Sequence, residues 1–369
     1  MTCARLSRSP ALLAAIGAAL LVAQSGCRSA QIRAKEAAVV RWKLARAGVK
    51  QRLADQMLSS GQFETAASEA RRARALDPQN PELALLEARV SLARGRSDDA
   101  EPLLESVKAD SSVAAEALYL RGAIAQQEQH WEKARALFAS AADAERENLT
   151  YFLALVEADL RSGDTVTALR RIDEKRVLFS HDAGFHAAEA ECRELAGDWD
   201  GACSAWRKTV DATDNIEDQR RLSRCLMAAD RDAEAVDVLR ELVPAGSADD
   251  RLLLAEALLK LGNVREAASE ALAITEEDEL NVGALALLVR IAVRNGDAER
   301  GYRLALRTLQ TNADDVAALE LAAGLACRTG RLKSAGELAD RIEQIDPGKS
   351  NFVAAAVRRR IDRDRGGNR

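Results

Sequence analysis

A residue pattern recurs along this chain at a step of 34. Gly61, Gly95, Gly163 and Gly197 fall on it, with Gln129 in the place between Gly95 and Gly163. The same step links Gly262, Gly296 and Gly330, and Asp230 takes the glycine place between the two blocks, at spacings of 33 and 32. Five residues after each stands a small side chain: Ala66, Ala100, Ala134, Ala168, Ala202, Ala235, Ala267, Gly301 and Ala335. A constant period of this length describes one supersecondary unit copied many times. Such a unit cannot bury its own apolar face and needs neighbours to do so.

The composition says which unit. The chain is 47% apolar but 4% aromatic, with 6 prolines in 369 residues, and Ala, Leu, Arg and Glu dominate, all good helix formers. The glycine place is where one helix stops and reverses into the next, since glycine enters the left-handed region without steric cost. Gln129 and Asp230 fill it less easily. The small residue five positions on lies where the two helices come closest. Phe63, Trp131, Trp199, Val264 and Leu332, two residues after the turn, are expected to pack at the hairpin corner. Pro78, Pro244 and Pro347 fall between repeats, and Pro81 opens a helix with Asn80 as its N-cap. Pro102 is expected in the first turn of a helix, where its missing N–H has no intrahelical partner.

These residues resemble the tetratricopeptide repeat, a 34-residue helix–turn–helix family. The resemblance runs from about Ala47 to Lys349, with repeats beginning near Ala47, Pro81, Ala115, Leu149, Ala183, Ile216, Ala248, Val282 and Val316. It implies an all-α, right-handed superhelical solenoid of about nine repeats. The expected organisation is a signal over residues 1–26, a lipid-anchor region and capping helix over 27–46, the solenoid over 47–349, and a capping helix with a basic tail over 350–369. In that last helix Phe352, Val353, Ala356 and Val357 are expected to face the array, and Arg358, Arg359, Arg360, Arg363 and Arg365 to face water.

At the N-terminus, Arg5 and Arg8 precede an unbroken apolar run of 13 residues, Ala11 to Ala23. A positive start, a short apolar core and a small-residue site make an export signal. The run is short of the roughly 20 residues a spanning helix needs. Ser25-Gly26-Cys27 resembles the end of a bacterial lipobox, with Gln24 where that family usually has Leu. The resemblance implies diacylation of Cys27, and Arg28 after it leans towards the outer membrane, facing the periplasm. Cleavage after Ser25 to give a soluble periplasmic protein, and an uncleaved anchor, are the alternatives. Ser29 to Ala47 reads as one amphipathic helix leading from the anchor to the first repeat. Without residues 1–26 the chain holds 51 basic and 58 acidic side chains, a formal −7 against −5 for the whole. No global basic field exists to recruit nucleic acid.

Catalytic chemistry is not in view. His130, His181 and His186 have no Cys or acid partners at metal-ligand spacing. No nucleophile elbow, phosphate-binding glycine loop or zinc-protease motif occurs. No enzyme activity, cofactor, metal or small-molecule ligand is expected, and no inserted domain interrupts the period. Cys192, Cys203 and Cys225 fall at small, inward places of neighbouring repeats. They are read either as a source of one disulfide in an oxidising compartment or as small buried hydrophobes; Cys327 stands alone.

The family binds peptides or partner helices along a concave groove lined by the first helix of each repeat. Carried over by position, the lining includes Leu85, Arg89, Leu92, Tyr119, Gln126, Gln127, Glu157, Leu160, Arg161, Arg220, Arg224, Met227, Arg290, Val293, Arg294 and Arg328. Glu191, Glu194, Glu256 and Glu320 interleave, so the groove is mixed in charge. The function implied is a protein-binding scaffold at the bacterial envelope. By analogy with related repeat lipoproteins, it would help assemble an outer-membrane, pilus, secretion or polysaccharide-export machine. A soluble exported adaptor or chaperone is the alternative.

Overall fold

The computed structural model describes the backbone of residues 10–244, 246–345 and 351–366, and side chains over 33–244, 246–345 and 354–363. Among the described residues all regular structure is helical and no strand occurs. The chain divides into two units, Met1–Asp164 and Thr165–Arg369. The first holds α1 (Pro10–Ser59), α2 (Phe63–Leu76), α3 (Pro81–Ala93), α4 (Ser97–Glu105), α5 (Ala114–Gln127), α6 (Trp131–Ala144) and α7 (Leu149–Arg161). The second holds α8 (Thr165–Lys175), α9 (Ala183–Leu195), α10 (Trp199–Thr213), α11 (Ile216–Ala228), α12 (Asp232–Leu242), α13 (Ala248–Lys260) and α14 (Val264–Glu277). It continues with α15 (Val282–Arg294), α16 (Ala298–Thr311), α17 (Val316–Arg328), α18 (Leu332–Ile345) and α19 (Asn351–Gly366).

Within each unit every helix packs on its neighbours in the chain. The core is accordingly a row of small apolar clusters. One joins Ala54, Ala66, Ala70, Leu86 and Val90 from α1, α2 and α3. Another joins Leu85, Ala88, Leu104 and Ile124 from α3, α4 and α5. The largest, around Trp206, Leu226, Leu239 and Leu258, runs through α9 to α15. Each cluster buries the face its own hairpin cannot, as the period requires.

The turn chemistry follows the 34-residue register. The seven glycines at the turn place all have φ between 71° and 86°, and Gln129 and Asp230 share the left-handed region at 61° and 56°. The residue after each donates its N–H five residues back, closing the preceding helix: Gln62 to the Met57 carbonyl, His130 to Ala125, Arg231 to Leu226 and Arg331 to Ala326, all at 2.8 Å. This is the Schellman closure, which needs one left-handed residue. A side chain there costs about 1–2 kcal/mol, less for Asp, whose short polar group tolerates the region. Gln129→Gly is therefore expected to stabilise the first unit by about 1 kcal/mol, and Asp230→Gly to stabilise the second by less. Urea unfolding midpoints test both; an unmoved midpoint for Gln129→Gly would show that the turn stores no strain.

The eight alanines five residues on are wholly buried. At Gly301 an added methyl would meet Leu325 Cδ1 at 3.4 Å and Ala292 Cβ at 3.6 Å, so the place accepts alanine here too. The corner aromatics are less covered than expected: Phe63 and Trp199 each remain 38% exposed.

Helix starts use more side-chain caps than Asn80 alone. The Asn80 carboxamide oxygen accepts from the Glu82 N–H at 3.0 Å, with Pro81 in the first helical position. Asn148, Asn215, Asn281 and Asp315 do the same for α7, α11, α15 and α17. Pro102 departs from expectation. It lies five residues inside α4, past the first turn, where its ring removes a helical donor. That helix ends at Glu105 after 9 residues.

Two terminal expectations also change. No break separates a capping helix from the first repeat: α1 runs through Ala47 because Gly48 alone does not stop a helix, and among the described side chains of α1 the first buried one is Ala47. At the other end α19 packs on α17 and α18 through Ala354, Val357 and Ile361, the i, i+3, i+7 stripe. Ala356 is exposed rather than inward, as are Arg358, Arg359, Arg360 and Arg363. Arg358 pairs with Asp340 and Glu343 on α18. The expectations for residues 1–26, Cys27, Pro347, Phe352, Val353 and Arg365 fall outside the residues whose side chains are described.

Candidate interaction surface

In the first unit the groove positions lie on α3, α5 and α7. Leu85 is buried in the α3–α4–α5 cluster and offers nothing to a ligand; Leu92 packs partly against it. Arg89 is exposed, 3.7 Å from Glu116. Tyr119 is half-buried, its ring 5.7 Å from Phe138 and 5.1 Å from Tyr151. Gln126 donates its amide N–H to Glu157 Oε1 at 3.2 Å, and Arg161 approaches the same carboxylate at 3.7 Å. With exposed Gln127 and half-buried Leu160, these make a polar strip of both signs along α5 and α7.

In the second unit the arginines divide. Arg220 is not a groove residue but a clamp. From α11 its guanidinium donates to both carboxylate oxygens of Asp250 on α13, Nη2 to Oδ2 at 2.9 Å. Asp250 is wholly buried and also accepts from the Ser247 N–H and hydroxyl at the start of α13, at 2.7 and 3.0 Å. The Arg220 guanidinium, with help from Ser247, holds the Asp250 carboxyl below the usual carboxylate range. Arg294 reaches back to the Leu259 carbonyl at 2.8 Å, and Lys260 to the Met227 carbonyl at 2.9 Å. Both cations sit against the last turn of the earlier helix, where free carbonyls and the helix dipole favour positive charge. Arg224 and Arg328 are exposed; Arg290 is exposed 3.5 Å from Glu256. Met227 and Val293 are half-buried against the core.

In the second unit Cys203 and Cys225 are buried and meet with their sulfurs 3.0 Å apart as thiols. Burial pushes both thiols above their ordinary range. Cys192 is buried too, and Cys327 is half-buried.

His130 caps a turn in solvent, 3.2 Å from Glu128. His186 is buried, with Nε2 3.0 Å from the Ser180 carbonyl and Nδ1 3.7 Å from Glu189; His181 is exposed. Among the described residues no three metal-binding side chains converge, and no helix is long and apolar enough to cross a membrane.

Sequence reasoning passed over Trp206. Its indole is buried, with Nε1 donating to Glu194 at 2.7 Å and the Arg221 guanidinium 5.3 Å from the ring centre. It stands seven residues after Trp199, on the same helical face, and that spacing could have marked it.

Residues 57–124 and 287–350 each match a tetratricopeptide repeat family model, one segment in each unit. No curated protein matches the sequence. Among solved structures, the C-terminal part of a TPR repeat-containing protein from Cytophaga hutchinsonii is similar at 12% identity, with a TM-score of 0.50. The match covers 73% of this chain and 98% of that one. A tetratricopeptide repeat protein from Parabacteroides merdae gives 11% identity and a TM-score of 0.47, over 68% of this chain and 99% of that one. The PilF structure from Pseudomonas aeruginosa gives 14% and 0.45, over 67% and 99%. At such identities the likeness is one of fold. Helical hairpins closed by one repeated turn give the chain the fold of a tetratricopeptide repeat solenoid, and the family models place such repeats at residues 57–124 and 287–350.

Proposed function

We propose that the chain is a non-enzymatic protein-binding scaffold held at the bacterial cell envelope through an acylated Cys27, with its repeats facing the periplasm. The reading rests on one combination. An export-type segment ending in Ser25-Gly26-Cys27 precedes repeat hairpins whose first helices expose side chains of both signs. The exposed positions Arg89, Gln127, Glu157, Arg161, Arg224, Arg290 and Arg328 suit extended or helical segments of partner proteins, which present both charges at short intervals. Arg220, Leu85 and Arg294 hold the fold and are left out of this surface.

Metabolic labelling with an alkyne fatty acid tests the anchor. Wild type is expected to carry the label and sediment with membranes, and Cys27→Ser to lose both. Two unlabelled, soluble proteins would replace this reading with the exported adaptor cleaved after Ser25.

A further inference from the structure

Cys203 and Cys225 meet across the joint between two repeats. Cys203 is the fifth residue of α10, which closes one repeat, and Cys225 the tenth of α11, which opens the next. Only Asp214 and Asn215 connect these helices, with Asp214 in the left-handed region at φ 48°. This short connection ties one end of the helix pair. The sulfurs lie towards the other end, ten residues back along α10 from its last residue, about 15 Å at the helical rise. Each cysteine is almost wholly buried, at 1% and 2% exposure, in the cluster that holds Ala202, Leu222 and Leu226.

The sulfurs are closer than packing alone requires. Unbonded carbons settle at about 3.5–4.0 Å, and sulfur is larger, yet the two sulfurs stand 3.0 Å apart. A thiol is a weak donor and a weak acceptor, so a neutral S–H···S contact does little to offset the crowding. Bonded sulfurs stand about 2.05 Å apart, so a shift of about 1 Å would join these two.

We propose that Cys203 and Cys225 form a disulfide that fastens α10 to α11 at the end opposite their connection and so closes the joint between two repeats. Cys192 and Cys327 take no part in it. The bond rests on the export reading above, because oxidising compartments are where structural disulfides form and persist; it does not need an acylated Cys27. The oxidant is a protein or small-molecule disulfide of that compartment. The thiolate of one cysteine attacks it, forming a mixed disulfide and releasing the oxidant's first thiol. The other cysteine then attacks the protein's own sulfur in the mixed disulfide, forming the Cys203–Cys225 bond and releasing the second thiol. Two electrons pass from the protein to the oxidant, and the two cysteine protons end on the released thiols. Burial keeps the folded sulfurs out of an oxidant's reach and disfavours their thiolates. The bond therefore forms while the exported chain folds, before α11 closes on α10, and is afterwards shielded from reductants in the same way. Neighbouring repeats hold one another only through such joints, and a joint can open locally; a covalent tie removes that opening between α10 and α11.

The test is thiol mapping of the full chain, taken from the envelope of cells that export it. The protein is denatured in iodoacetamide, digested and analysed by mass spectrometry. Cys192 and Cys327 are expected to be alkylated, and the peptides bearing Cys203 and Cys225 to stay linked until a reductant separates them. In a second measurement the purified chain is unfolded with reductant and refolded in oxidised glutathione, which supplies the oxidant whatever the compartment. A Cys203–Cys225 link in both supports the proposal. Thiols reduced in cells but linked on refolding support the pair and count against the export reading. A bond from either cysteine to Cys192, or Cys203 and Cys225 both alkylated after refolding, overturns the proposal. Stability is a separate readout that needs no substitution. Closing a loop across a separation of 22 residues is expected to favour the folded chain by a factor of roughly a hundred or more, so the urea midpoint of the oxidised chain should lie above that of the reduced chain. An oxidised midpoint at or below the reduced one would show that the bond distorts the joint, and overturns the proposal as well.

Discussion

Arg220→Ala is expected to destabilise the second unit by about 3–5 kcal/mol, the cost of leaving a buried carboxylate without its cation. Asp250 is wholly buried, and its own helix supplies it only with Ser247. Asp250→Ala should cost less, because Arg220 keeps partial access to water and a hydrogen bond to Glu217. Arg220→Lys should fall between, since an ammonium cannot make both bonds of the fork. The pH dependence carries a sign. The Asp250 pKa is depressed in the folded state, so its contribution is present in full above the unfolded carboxylate value, about 3.9. It is lost as pH falls through the folded value. The gap between wild type and Arg220→Ala should therefore be widest near neutral pH and close in acid. Urea titrations across that range measure it; a gap of under about 1 kcal/mol at neutral pH, in the range of exposed pairs, would show that the clamp is ornamental.

Trp206→Ala is expected to cost about 3–5 kcal/mol, the usual range for emptying a fully buried aromatic site. The loss is apolar burial at the centre of the largest cluster, together with the indole bond to Glu194 and the stacking of Arg221. Trp206→Phe separates these contributions. It keeps most of the volume and loses the N–H bond, so about 1 kcal/mol is expected. If Trp206→Phe costs as much as Trp206→Ala, the polar tip rather than the ring holds the site.

The repeat frame was readable because it rests on backbone requirements that few residues meet. A left-handed turn selects glycine, and a close helix crossing selects alanine, so Gly61 and Ala66 announce a hairpin without any coordinates. The exceptions were readable too, at Gln129 and Asp230. The long polar side chains were not. Position within a repeat predicts which face a residue starts from, not where four or five rotatable bonds deliver its charge. Arg220 and Arg294 begin at groove positions and end on a buried carboxylate and a helix carbonyl. Their partners lie close to one period away, as do Arg94 with Glu64 and Gln126 with Glu157. Comparing each charged residue with the one 30 positions further on would have exposed Glu64 with Arg94 and Arg220 with Asp250. Pro102 failed for another reason: α4 starts at Ser97, two residues after Gly95 as the period requires, and counting from that start puts Pro102 in the second turn.

The apolar clusters of the second unit are assembled from helices that follow one another in the chain, and this gives the molecule freedom in copy number. Excising one period between α9 and α18 joins two surfaces that already have the same alanine contact and the same turn. Duplicating one extends the row without opening a new interface. Unequal recombination within the gene can thus lengthen or shorten the binding surface in steps of about 34 residues. Pairs such as Arg220 with Asp250 mark the joints at which such a step has a cost.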